Sequence, residues 1–133
     1  MLLSCENYYA KFYDESIKNR EIDCLKVENC RPFLVNKIVK ALKEEGIVVK
    51  DSCPYTLSVT SKFLSQCTSP HAKSVDADFD GYLRFDLKKE GRLLYRIQMD
   101  WKGEFSEGRI KRLIDRMKKD IKFKSLLNFV KLF

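Results

Sequence analysis

Two hydrophobic periods run along this chain and mark out its elements. Leu34, Val35, Ile38, Val39 and Leu42 recur at intervals of three and four, which predicts a helix with one apolar face. Pro32 suits its first turn, where an N–H has no helical partner, and Gly46 supplies the left-handed residue on which helices commonly end. Between Gly81 and Lys102 the period drops to two. Leu83, Phe85 and Leu87 alternate with Tyr82, Arg84 and Asp86, and beyond Lys88-Lys89-Glu90-Gly91 the residues Tyr95, Ile97, Met99 and Trp101 alternate with polar ones. That alternation predicts an antiparallel hairpin with one buried and one wetted face. Ser106 is placed to cap a further helix whose buried stripe is Ile110, Leu113, Ile114, Met117 and Ile121. Phe123, Leu126, Leu127 and Val130 continue helically on a shifted face, so a kink or a new helix is expected near Lys122.

The remaining stretches are read by the same rules. From Leu3 to Asn19, Cys5, Tyr8, Tyr9, Phe12, Tyr13 and Ile17 fall at helical spacing and predict an N-terminal amphipathic helix. Residues 20–30 then form a helical turn and a bend over Glu28–Arg31. After Gly46, Ile47–Lys50 reads as a short strand, Asp51-Ser52-Cys53-Pro54 as a turn and Tyr55–Thr60 as a half-buried strand, together a small hairpin. Ser61 to Asp80, with Pro70 and the aspartates 76, 78 and 80, reads as a long loop with helix potential only around Lys62–Gln66. The expected fold is α+β: N-terminal helices with a small wing-like β-hairpin, then an antiparallel β-hairpin packed by a basic C-terminal helix. Residues 1–66 would form the helical part, 67–80 a loop or linker and 81–133 the second hairpin and helix, or all would join as one domain.

Composition narrows the class. A hydrophobic share of 44% and 12% aromatics are enough for a packed core, which excludes wholesale disorder. No apolar run approaches the ~20 residues that span a bilayer. MLLSCENYY lacks the cationic region and long apolar core of a secretory signal. The expectation is an intracellular, soluble protein, cytoplasmic or, in a eukaryote, nuclear, with no membrane partner. Its five cysteines are then expected as reduced, mostly buried thiols. No C-x2-C pair occurs, and Cys67 with His71 has no second pair to complete a site, so neither a metal nor another cofactor is expected. The single histidine, His71, has no carboxylate near it in sequence and offers no histidine-based mechanism. The net charge of +7 arises wholly after residue 60, a balance that favours nucleic acid, an acidic protein or an anionic surface as partner.

The stretch LVNKIVKALKEEGIVVKD followed by YTLSVT resembles the recognition helix and wing of a winged helix-turn-helix domain, with residues near 21–28 corresponding to the preceding short helix. The resemblance implies that Arg31, Asn36, Lys37 and Lys40 face the major groove of DNA and that Lys50 sits on the wing. A second cationic set lies on the later helix, where Arg109, Arg112, Arg116 and Lys119 share the face opposite the buried stripe, flanked by Lys111, Lys118, Lys122 and Lys124 and interrupted by Asp115 and Asp120. Cations along one rod can track phosphates; as a solvated face they need no ligand. Separately, Asp80 followed by Asp100-Trp101-Lys102 resembles the PD-(D/E)xK nuclease pattern. That resemblance implies two carboxylates holding Mg2+ and a lysine that activates water. A cross-strand ladder of Arg84 near Asp100 accounts for the same residues without chemistry.

These readings converge on a small basic protein that binds nucleic acid, duplex DNA in the first instance, without catalysis. A homodimer through the tyrosine-rich N-terminal segment or the apolar C-terminus FKSLLNFVKLF would space two such modules. Two alternatives stand beside it: a protein–protein adaptor whose apolar C-terminus docks a partner, and a metal-dependent nuclease using Asp80, Asp100 and Lys102.

Overall fold

The computed structural model describes residues 6–63 and 79–124, and its first element corrects the expected N-terminal helix: Glu6–Phe12 is a strand, β1. Tyr8, Ala10 and Phe12 lie opposite Met99, Ile97 and Tyr95, while Asn7, Tyr9 and Lys11 take the reverse side. Adjacent tyrosines satisfy a helical stripe and a two-sided strand alike, and cross-strand packing against a distant segment decides between them. Only Glu15–Asn19 is helical, as a 3-10 turn that Asp14 caps by accepting the Ser16 N–H at 3.0 Å.

The connector is also extended rather than helical. Glu21–Ile22 is β2 and Lys26–Glu28 is β3, and the bend that follows has Asn29 at φ 57°. Helix α1, Pro32–Glu44, then stands where the apolar period placed it, burying Leu34, Ile38 and Leu42. Its end follows from Gly46 at φ 83°: the Gly46 N–H donates to the Lys43 carbonyl and the Ile47 N–H to the Leu42 carbonyl, both at 3.0 Å. This is the Schellman arrangement, and buried Ile47 packs beside the last turn.

The wing-like hairpin over Ile47–Thr60 does not form. Val49 instead makes a parallel bridge to Leu25, and Tyr55–Phe63, β4, runs parallel to β3 and antiparallel to β5. Buried Leu57 and Val59 place β4 between two neighbours, and α1 supplies the crossover that a parallel pair requires. The reduced thiols expected at Cys24 and Cys53 are joined as a disulfide, Cα atoms 5.8 Å apart, fastening the segment after α1 to the strand region before it. Cys30 keeps a free thiol, which burial pushes up to about 11.

The second hairpin is as expected. Gly81–Lys89, β5, returns through Glu90 and Gly91, both at positive φ, into Arg92–Trp101, β6, with a bulge between Leu87 and Lys88. Gly81 is required by its neighbours, since a Cβ there would stand 2.7 Å from the Trp101 ring and 2.7 Å from the Phe63 Cβ. Helix α2, Glu107–Asp120, begins after Ser106, although the Ser106 side chain makes no capping bond. It buries Ile110, Leu113, Ile114 and Met117. The chain breaks after Asp120, where Lys122–Phe123, β7, pairs in parallel with β2. The expected helix around Lys62–Gln66 meets Lys62 and Phe63 inside β4; the rest of it, like His71, Cys67 and the apolar C-terminus, lies outside the described residues.

The five-stranded sheet runs β1-β6-β5-β4-β3. Side chains of one face, among them Leu57, Phe85, Leu87, Ile97, Met99 and Trp101, merge with the apolar stripes of both helices into one core. The arrangement is thus sheet-led: a strand opens it, both helices lie in one layer, and the other sheet face carries no helix among the described residues.

Candidate functional site

The predicted cations separate once they are placed. On α1, Arg31, Asn36 and Lys40 are exposed, while Lys37 donates to Glu107 at 2.7 Å. Lys50 is exposed beside Leu25, whose carbonyl accepts its backbone N–H, and not on a hairpin. The two helices meet, so the two cationic sets share a layer, but much of that charge is already engaged. Arg109 and Arg112 both close on Glu6, at 2.5 and 2.6 Å. Lys111 and Lys118 close on Glu45, at 3.1 and 2.9 Å. Arg116 lies over the Tyr8 ring, 4.2 Å from its centroid. Lys119 is exposed and has no ion pair among the described residues.

Glu6 holds this layer to the sheet. Its side chain is 9% exposed. Burial alone would raise its carboxyl, but hydrogen bonds from Arg112 and Tyr8, the Arg112 charge and the Arg109 bond together hold it down at about 2. The same contact, with burial, pushes the Tyr8 phenol up to about 12. An acidic residue opening a strand is easily passed over in sequence; its arginine partners lie more than a hundred positions away.

Asp80, Asp100 and Lys102 lie at one end of the β5–β6 pair. The Asp80 carboxylate accepts the Gly103 N–H at 2.7 Å. Both Asp100 oxygens are taken, one by the Tyr9 hydroxyl at 2.7 Å and one by the Gln98 amide at 2.8 Å. Arg84 faces Gln98 rather than Asp100, donating to its Oε1 at 2.8 Å. The ladder anticipated between Arg84 and Asp100 therefore exists with Gln98 between them.

Two features that sequence reasoning did not single out are built by the fold. The first is a cleft of about 210 Å3 where the outer edge of β1 faces the C-terminal half of α2, lined by Tyr8, Ala10, Ile97, Arg116, Lys119 and Asp120. β1 pairs with β6 on one side, and no described strand pairs with it on the other. An antiparallel strand directs every second N–H and C=O outward, so this edge carries main-chain donors and acceptors that no described strand pairs with. Ala10 points toward the helix layer yet is exposed, which leaves the cleft open at its floor. Asp120 is occupied, accepting the Tyr95 hydroxyl at 2.6 Å; burial and this contact push the Tyr95 phenol far upward.

The second is the helix-free sheet face. Register places Lys11, Lys26, Lys62, Arg84, Lys88 and Arg96 on it, against Glu28, Asp86 and Asp100. Among the described residues only Arg96 has an ion pair there, to Asp86 at 2.6 Å. The period-two alternation of residues 82–88 was the signal for this face; the identity of its neighbours required the pairing of β4 and β1.

Neither a protein-family model nor a curated protein matches the sequence. Among solved structures the chain is similar to a PDZ domain protein from Parabacteroides distasonis ATCC 8503, with a TM-score of 0.49 and 11% identity over 85% of this chain and 36% of that one. The chain thus spans little more than a third of that protein's length.

Proposed function

We propose that the protein is a non-enzymatic protein-binding module that takes an extended, acidic segment of a partner along the outer edge of β1, which no described strand covers. The observation that carries this reading is the open cleft between that edge and α2. Strand addition obtains affinity from main-chain hydrogen bonds and selectivity from alternate side chains. Here Ala10 and Ile97 give the apolar floor, and Arg116 and Lys119 offer cations to an acidic side chain.

Two observations favour this over the duplex-DNA reading. The Lys37, Arg109, Arg112, Lys111 and Lys118 charges are engaged within the molecule, and the segment read as a wing is parted between Leu25 and β5. The Cys24–Cys53 disulfide supports an oxidising compartment over the cytoplasm, since such bonds seldom persist among reduced thiol pools.

The test is a fluorescence-anisotropy titration with a labelled peptide of alternating valine and glutamate, against its valine–lysine counterpart. The acidic peptide is expected to bind, the basic one not. Filling the floor with Ala10→Trp, or reversing charge with Arg116→Glu, should abolish the signal. Equal binding of both peptides, or indifference to both substitutions, removes the proposal. Salt-sensitive binding of duplex DNA lost in Lys40→Ala would return support to the groove reading. Mg2+-dependent nicking lost in Asp100→Asn would do so for the nuclease.

A further inference from the structure

The helix-free face of the sheet adjoins the β1 cleft, which opens at the sheet's side, and Tyr9 borders both. We infer that this face is a second interaction surface, which settles peripherally on an anionic lipid bilayer. Four elements contribute. β1 brings Lys11, β3 Lys26, β4 Lys62, and β5 Arg84 and Lys88. None of these five has an ion pair among the described residues, although the helix layer pairs most of its own. The Arg84 guanidinium engages only the neutral Gln98 and the Tyr82 ring, 5.7 Å from its centroid, so its outer nitrogens remain available to a phosphate. Tyr9 and Tyr13, 53% and 45% exposed, stand on the same side, and tyrosine is favoured where water meets headgroups.

The occupant follows from shape and charge. Sheet faces that hold a single nucleic-acid strand do so by stacking bases on protruding aromatics, whereas this one is broad and shallow and bears threonine and serine between long cations, with the Tyr9 hydroxyl already bonded to Asp100. Six cations stand over three carboxylates on this face, which suits a planar array of phosphate headgroups. Among the described residues the face carries no apolar side chain beyond its tyrosines, so attraction would be electrostatic and reversible, about fivefold in partitioning for each lysine or arginine brought to the surface.

The experiment is co-sedimentation of the intact protein with vesicles, either of phosphatidylcholine alone or of an equimolar mixture with phosphatidylglycerol, at low and physiological salt. Binding is expected only to the mixed vesicles and should weaken with salt. The triple change Lys62→Gln, Arg84→Gln and Lys88→Gln should weaken it about a hundredfold. A control removing the same charge from the opposite layer, Arg31→Gln, Lys40→Gln and Lys43→Gln, should leave it nearly intact. Equal loss in both triples would show that net charge, not this face, is responsible and would overturn the inference. So would equal sedimentation with both lipids or none with either. Binding to a single-stranded oligonucleotide without vesicle binding would likewise overturn it, in favour of nucleic acid. Unaltered peptide binding in the open-face triple would separate this surface from the β1 cleft.

Discussion

On α2, Arg109 and Arg112 close on Glu6 while Lys111 and Lys118 close on Glu45; across the sheet, Lys62, Arg84 and Lys88 make no ion pair among the described residues. In sequence the two sets look alike, a run of cations opposite an apolar stripe. The difference lies in what the fold places nearby. In the helix layer a carboxylate 9% exposed must be compensated, so those arginines are structural fasteners between β1 and α2. On the open face one carboxylate, Asp86, is closed off to the same degree and Arg96 answers it, whereas Lys62, Arg84 and Lys88 face no such demand and remain at the disposal of a ligand.

The largest expected effect follows from removing the fastener. Arg109→Ala with Arg112→Ala leaves Glu6 buried without its cations and should cost ~3–5 kcal/mol in urea unfolding. A loss below ~1 kcal/mol would mean that the two regions do not differ as described. Next, reduction of Cys24–Cys53, which are 29 positions apart, should lower stability by ~3–4 kcal/mol on chain-entropy grounds, read as a shift in the unfolding midpoint with reductant.

Acid gives a somewhat smaller change. The Glu6 carboxyl is depressed from 4.5 to about 2, so its contribution is fully present above pH 4.5 and disappears as pH falls through about 2. That window should cost up to ~3 kcal/mol, and Glu6→Gln should flatten the slope within it. A slope unchanged by the substitution would assign the acid sensitivity elsewhere. The smallest effect belongs to the open face. Lys62→Ala with Arg84→Ala should change stability by less than ~1 kcal/mol while weakening vesicle binding about twentyfold.

Elements with one strong period were legible in the sequence. Helix α1 with its Gly46 stop, the β5–β6 hairpin and α2 all stand within a few residues of their predicted limits. Segments whose structure depends on distant partners were not. Tyr8 and Tyr9 fit a helix until β6 supplies Met99 and Gln98 opposite them, and Ile47–Lys50 fits half a hairpin until Leu25 takes Val49. Of the α2 cations, Arg112, Arg116 and Lys119 are exposed while Arg109 is drawn in against Trp101 with its side chain 14% exposed, and nothing local reveals that Glu6 and Glu45 would claim so many of the set. The β1 cleft had no sequence signature, because a free edge is a property of the assembled sheet.

The pairing of β1 with β6 has a consequence for how the molecule comes into being. The strand emerges from the ribosome early, and its partner, Arg92–Trp101, some ninety residues later. Until then its aromatic residues have no β6 to pack against, and loop closure over so long a span is slow. Newly made chains should therefore depend on chaperone shelter until translation passes α2, whose arginines finally lock the strand in place.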